Sequence, residues 1–361
     1  MADRSTDLGR IVRLADFEAI ARDVLDPGAF DFVAGGAWDE VSLADNEAAW
    51  RRRRFRPRVL VDVAGVDPST TMLGAPVAMP VGIAPMAIHG LAHPDAEVAT
   101  ARAAAAAGVP FILSTMSSSS VEAVSDAAPD CIRWFQLYVQ RDPGASRSLV
   151  ERAVAAGCRA LVVTVDLPIV GYRDRDRRSG FEMSALGNFG DVGPTHRPLR
   201  PMVDDVIDTG TPAHSLTWAD LAAIRSWSTL PVVLKGILTA EDARLAVEHG
   251  VDGIVVSNHG GRQLDRVLAP LDALADVVAA VDGRTEVWVD GGVRRGLDIA
   301  IALALGAQAV LVGRPILWAL ATGGQSGVER ALAILREEFE VTLGLLGTPT
   351  PADIGPQHLV R

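Results

Sequence analysis

The chain has 361 residues, 49% of them hydrophobic, and a formal net charge of −11. That length and composition can bury one large α/β core or two ordinary ones, and exclude a disordered or fibrous chain. The negative balance argues against a sequence-independent grip on nucleic acid or an anionic membrane, so a small-molecule partner is expected.

The start, MADRSTDLGRIVRLADFEAIARDVL, lacks an uninterrupted apolar region and reads as a polar lead into an amphipathic helix. Residues 1–77 are expected to form an N-terminal helical cap with a short hairpin-like segment, RPRVLVDVAGVDPSTTMLG. From residue 78 one pattern recurs: a short β-branched run, an Ala-rich helical pattern closing at Gly, then the next run. The runs are VAMPVGIAPM, PFILSTM, IRWFQLYV, ALVVTVD, PVVLKGI, GIVVSNH, EVWVDGG and AVLVGRP. Continuous apolar strands alternating with helices imply a parallel sheet covered on its outside, and eight units predict an α/β fold of the (β/α)₈ TIM-barrel type. Residues 1–361 are then one domain, with 78–361 as barrel and C-terminal helix. After the fourth strand an irregular insertion, about Asp174 to His214, is expected to lie over the barrel mouth. No 18 consecutive apolar residues occur, and a cytoplasmic enzyme is expected. Cys131 and Cys158 read as small core residues, with no disulfide framework or metal cluster.

In such a barrel, chemistry collects at the C-terminal ends of the strands. Polar residues do fall there: Ser114 on the second strand, Gln136 and Tyr138 on the third, Thr164 and Asp166 on the fourth, Lys235 on the fifth. The sixth is followed by His259 and Arg262, the seventh by Asp290, Gly291 and Gly292, the eighth by Gly313 and Arg314. A lone strand-end lysine or aspartate is ordinarily a solvated rim charge, and DGG ordinarily a turn. Seven of the eight ends carrying such residues together point to a site. Glycine-rich loops after the last two strands, DGGVRRG and GRP, suit a phosphate, with Arg294 and Arg314 placed to add charge-assisted hydrogen bonds. Ser114, Gln136, Thr164 and Lys235 suit the edge of a flat polar ring that gains negative charge, as a flavin does on reduction.

With SNHGGRQLD as its most specific block, and IAPMA, FQLYV, TVDLP, LKGI, VDGGVRRG and VGRP in order, the chain resembles the FMN-dependent α-hydroxy-acid oxidases and dehydrogenases. The resemblance implies FMN rather than FAD, and an (S)-2-hydroxy-acid substrate oxidised to the 2-keto acid. Dioxygen or another acceptor would reoxidise the flavin. Ala84, Pro85, Met86 and Ala87 would pass their backbone along the flavin, and Ser114, Gln136, Thr164 and Lys235 would bond its ring and ribityl chain. Asp290, Gly292, Arg294, Gly313 and Arg314 would hold the phosphate. His259 would be the base, Asp166 the partner of its imidazolium, Arg262 and Arg173 the carboxylate clamp, and Tyr138 a donor to a substrate oxygen. A homo-oligomer, tetramer or octamer, is implied as well, without membrane or nucleic-acid partners.

Departures from the family pattern bear on the substrate. Phe30, in AFDFVAGG, is taken to stand where enzymes of small hydroxy acids carry tyrosine, and Met116 where glycolate oxidases carry tryptophan. Both favour an aryl or bulky acid, mandelate-like, over lactate or glycolate. Ala87 stands where the lactate monooxygenase type has glycine, favouring free release of keto acid and peroxide. Two other readings are a phosphate-binding barrel of different chemistry and a non-catalytic FMN binder. The joint presence of Tyr138, Asp166, His259 and Arg262 speaks against both. Histidines 89, 93, 196, 214, 249 and 358 lack such company; His89 and His93 follow the first strand near the mouth and read as packing residues.

Overall fold

The computed structural model describes residues 7–181, 186–192 and 215–360. Two strands precede the barrel: β1 (Thr70–Met72) and β2 (Ala75–Val77) pair antiparallel. Eight parallel strands then close on themselves in the order β10-β3-β4-β5-β6-β7-β8-β9. They are β3 (Val81–Ile83), β4 (Phe111–Ser114), β5 (Arg133–Leu137), β6 (Leu161–Thr164), β7 (Val232–Ile237), β8 (Gly253–Val256), β9 (Glu286–Val289) and β10 (Ala309–Val312). Both faces of these strands are covered, which is why they read as unbroken apolar runs rather than alternating ones. Outward-facing residues such as Leu113, Phe135, Val163 and Val256 join the helices in one large core.

Inward-facing residues fill the lower barrel. Ile112, Trp134, Val162, Val233, Val255, Trp288 and Leu311 cluster there, with Trp134 and Trp288 stacked at 5.0 Å. Met72 and Val77 belong to the same cluster, so the β1–β2 hairpin plugs the N-terminal end. The Leu73 backbone N–H donates to the Glu286 carboxylate at 2.9 Å and ties the plug to β9. With that end packed solid, space for a ligand is left at the strand C-termini.

Three helices of the N-terminal segment brace that end. In α1 (Leu14–Val24), Leu14, Phe17 and Ala21 are buried at helical spacing, the amphipathic face the sequence predicts. In α2 (Pro27–Ala34), Asp26 caps the start by accepting from the Gly28 N–H at 2.9 Å, with Pro27 opening the first turn. α3 (Val41–Arg51) is bolted to the barrel loops. Asn46 and Asn258 exchange side-chain amide hydrogen bonds of 2.9 and 2.7 Å, and the Trp50 indole donates to the Gly291 carbonyl at 2.9 Å. Gly292, at φ 85°, leaves room for this contact, since a Cβ there would lie 2.1 Å from the Asn46 carbonyl oxygen.

The stretch after β6 departs from the expectation of an irregular insertion. Residues Asp174–Ser179 form an α-helix, ended by Gly180 at φ 63°, and Gly187–Val192 form a 3₁₀ segment. The clustered charges read as loop form a half-buried helix, with Arg178 and Asp174 paired one turn apart at 2.9 Å. The remainder of the insertion, with His196 and His214, lies outside the described residues. The final helical stretch, Arg314–Leu346, is broken at Gly323 and Gly324. Both cysteines are free and buried, and burial pushes each thiol up to about 12. Among the described residues no helix is long and apolar enough to cross a membrane.

Candidate active site

The strand C-termini surround a cavity of about 310 Å³, a size suited to small ligands. One wall is the β3 end, Ala84 to Ala87, with Ser114 from β4 and Lys235 from β7. The Lys235 ammonium lies 3.2 Å from an Asp290 oxygen and donates to the Ser257 hydroxyl at 2.9 Å. Burial disfavours its charge, but the Asp290 and Asp166 carboxylates overcome this and raise its pKa above the ordinary lysine value. Gln136 and Thr164 do not line the cavity. Gln136 sits against Ser114, accepting its hydroxyl at 3.0 Å. Among the described residues its amide nitrogen is buried without a partner, as are the Thr164 hydroxyl and one Asp290 oxygen. Native proteins rarely leave buried polar atoms in that state unless a ligand uses them.

A second wall comes from the glycine-rich turns after β9 and β10, with Gly292, Arg294, Gly313 and Arg314 all lining. Gly313 precedes the helix Arg314–Leu346, and a helix N-terminus favours an anion. A Cβ on Gly313 would stand at contact distance from the Met86 sulfur, 3.6 Å, and from Ala84 Cβ, 3.8 Å. A larger side chain would fill this cradle. Arg314 is more occupied than the sequence implies. Its three nitrogens donate to the carbonyls of Val33, Gly260 and Gly35 at 2.8–3.0 Å, tying α2 to the barrel. Burial and the neighbouring Arg294 and Arg173 bring its pKa down to about 10. Arg294 pairs with Glu47 of α3 at 2.8 Å.

The third wall answers why a buried strand ends in an imidazole and a guanidinium. After β8 the chain takes positive φ at His259, Gly260 and Gly261, 59°, 65° and 73°. A left-handed histidine is strained, and such strain gathers at functional sites. The kink delivers His259 Nδ1 to Asp166 at 2.8 Å and Nε2 to within 3.3 Å of the Tyr138 hydroxyl. Asp166 thereby fixes the Nδ1–H tautomer and leaves the Nε2 lone pair facing Tyr138. Burial drives the His259 pKa below the usual imidazole value, outweighing the attraction of Asp166. Asp166, though buried, is held below the usual carboxylate range by His259 and Lys235. Burial pushes the Tyr138 phenol up to about 12, so it stays a donor.

Arg262 and Arg173 both line the cavity and both are buried, which lowers their pKa values. Arg262 Nη1 donates to the carbonyls of Phe32 and Gly35 at 2.7 and 2.9 Å, an arrangement that sets the plane of the guanidinium. Arg173 Nε donates to the Arg262 carbonyl at 3.3 Å. Gln263 joins the two loops: its amide donates to the carbonyls of Asp166 and Ile169 at 3.0 and 2.8 Å and accepts from the Gly171 N–H at 3.2 Å.

Phe30 is a correction. It is 3% exposed, absent from the cavity, and packed under the Arg22 guanidinium at 4.3 Å. Two residues on, Phe32 lines the cavity, stacks on Phe181 at 4.4 Å and carries Arg262 over its ring at 4.9 Å. Each helical residue turns the side chain by about 100°, so positions two apart on α2 face nearly opposite ways. The register of FDF decided which phenylalanine is inside. Met116 does line the cavity, with Leu167 and Val170. Sequence reasoning missed Phe32, Phe181, Asp176, Ser257 and Gln263. Helical phase offered a signal for Phe32, and Ser257 and Gln263 lie in the SNHGGRQLD block; Phe181 and Asp176 had none. His89, read as packing, is buried with Nδ1 2.9 Å from the Thr100 hydroxyl.

Residues 21–361 match the FMN-dependent dehydrogenase family. The chain belongs to that family. An L-lactate oxidase of Nostoc is 46% identical over 364 residues, 98% of this chain and 99% of the relative. A peroxisomal (S)-2-hydroxyacid oxidase of Arabidopsis thaliana is 46% identical, covering 98% and 97%, so membership does not carry a compartment with it. The crystal structure of a mandelate oxidase with (S)-4-hydroxymandelic acid has a TM-score of 0.91 and 46% identity, covering 97% and 98% of the two chains. The protein is an FMN-dependent enzyme that oxidises 2-hydroxy acids. Its cavity suits that cofactor. Among the described residues, the unpartnered Asp290 oxygen and the Lys235 ammonium line it and match a polar ring and ribityl chain, and the Gly313 cradle matches one phosphate.

Proposed function

We propose that this enzyme oxidises (S)-2-hydroxy acids with an aryl or other bulky side chain to 2-keto acids, with dioxygen as acceptor and hydrogen peroxide released. The observation that carries the substrate class is the Phe32–Phe181 stack in the cavity wall, beside the guanidinium of Arg262. With Met116, Leu167 and Val170 it supplies apolar surface for a phenyl group and no hydroxyl for a small acid.

Arg262 and Arg173 receive the substrate carboxylate on the guanidinium edges that the backbone carbonyls do not use. Tyr138 donates to a substrate oxygen. His259 Nε2 takes a proton from the substrate, because the imidazole is neutral at working pH and Asp166 stabilises the cation it becomes. The backbone of Ala84–Ala87 and the side chains of Ser114, Gln136, Thr164 and Lys235 would hold FMN, with Asp290, Gly292, Arg294, Gly313 and Arg314 at its phosphate end, and when bound it would supply the two-electron acceptor. The Lys235 ammonium would stabilise negative charge on the ring. The assembly proposed is a homo-oligomer, tetramer or octamer, which sedimentation tests.

Anaerobic mixing with a panel of 2-hydroxy acids, followed by bleaching of the flavin absorbance, tests the substrate class. Mandelate and 4-hydroxymandelate are expected to reduce the flavin faster than lactate and glycolate. The opposite order overturns the aryl preference and leaves the reaction type standing.

A further inference from the structure

Two buried guanidiniums, Arg173 and Arg262, share the cavity, and each lowers the other's comfort there by like-charge repulsion. One acidic side chain faces both. Asp176, on the Asp174–Ser179 helix, lines the same cavity with its side chain 14% exposed. Its Oδ2 is 3.7 Å from Arg173 Nη1, too long for a good hydrogen bond, and its Oδ1 is buried with no partner among the described residues. A saturated structural ion pair would show short contacts on both oxygens. Asp176 instead has a carboxylate edge left open within a site built for an anion.

We propose that Asp176 is the resident counter-charge of the carboxylate site: it cancels one of the two guanidinium charges, so the free site takes one carboxylate and rejects dianions, and it keeps Arg173 aligned. The inference rests on the reading of Arg173 and Arg262 as the carboxylate clamp. Burial raises the Asp176 pKa, and the attraction of Arg262 and Arg173 opposes this only in part. Asp176 is a specificity and positioning residue, and its removal separates binding from turnover. Without its charge the site attracts anions more strongly, whereas Arg173 loses its anchor.

The test uses the FMN-loaded enzyme and follows the oxidised flavin spectrum during titration with acetate and with malonate. Wild type is expected to bind malonate more weakly than acetate. In Asp176→Asn, acetate should bind about tenfold tighter and malonate roughly a hundredfold tighter, since the field acts twice on a dianion. Flavin reduction at saturating mandelate should fall about tenfold without a rise in KM. Asp176→Glu should restore the wild-type ratio of acetate to malonate affinity. A wild type that binds malonate as tightly as acetate overturns the proposal without any variant. So does an Asp176→Asn protein of normal FMN content whose anion ratio is unchanged, or whose anion binding weakens. Failure of acetate to compete with mandelate in wild type instead overturns the underlying clamp.

Discussion

Replacing Phe32 by tyrosine while leaving Phe30 alone, and the reverse, separates the two readings of the FDF segment. Phe32 lies in the cavity wall with the Arg262 guanidinium 4.9 Å above its ring, so a hydroxyl added there enters the carboxylate site. A hydrogen bond to a charged group contributes about 1.5–3 kcal/mol. If it acts in the transition state, that is roughly a ten- to hundredfold gain in kcat/KM. Lactate and glycolate should show the gain in full, having little apolar surface of their own. Mandelate should gain less, because burying its phenyl group against Phe32, Phe181 and Met116 already contributes about 1.5–3 kcal/mol, and the new hydroxyl intrudes on that wall. Phe30 packs under Arg22 outside the cavity, so Phe30→Tyr should leave the mandelate-to-lactate ratio within about twofold, the range of a distant change that adds no transition-state contact. The assay is anaerobic stopped-flow reduction of the flavin with (S)-mandelate, (S)-4-hydroxymandelate, lactate and glycolate in wild type and both variants. A ratio that moves in Phe30→Tyr and not in Phe32→Tyr refutes the placement.

His259→Ala should retain FMN yet lose hydroxy-acid oxidation by about 10²–10⁴-fold, measured by single-turnover flavin reduction. Because burial holds the His259 pKa below the ordinary imidazole value and the base must be neutral, the acid limb of kcat/KM should fall below that value; Asp166→Asn, losing the carboxylate that raises it, should move the limb lower still while slowing the reaction. Arg262→Lys should chiefly raise KM, since an ammonium cannot bond the Phe32 and Gly35 carbonyls and present a planar fork to the substrate together. Gly292→Ala should cost about 2–4 kcal/mol through its positive φ and its clash with the Asn46 carbonyl. A lowered melting temperature and weaker FMN retention are the readouts.

The route by which α3 reaches the site shows how far sequence reading extends. Nothing in VSLADNEAAWR marks Asn46 or Trp50 as partners of loops more than 200 residues away, yet Asn46 holds the turn after β8 and Trp50 the turn after β9. Gln263 lies inside the most distinctive block of the chain, and its three bonds to the loop between Asp166 and Arg173 could not be read there. Contacts of this kind depend on which surfaces the closed barrel brings together, and local pattern carries no record of them.

The barrel itself was legible because its physics is local and periodic. Strands buried on both faces must be apolar throughout, helices that cover them must repeat their apolar face each turn, and glycine must stand where the chain turns left-handed or an anion approaches the backbone. Those constraints mark all eight strand ends in the sequence, and with them His259, Arg262, Lys235 and Asp290. What faces inward near the mouth is set by rotation about helix and loop axes, and there one or two positions reverse the outcome. Tertiary structure alone decided that Phe181 stacks on Phe32 in the cavity wall and that Arg314 bonds three carbonyls, because each depends on distances between segments that the sequence keeps far apart.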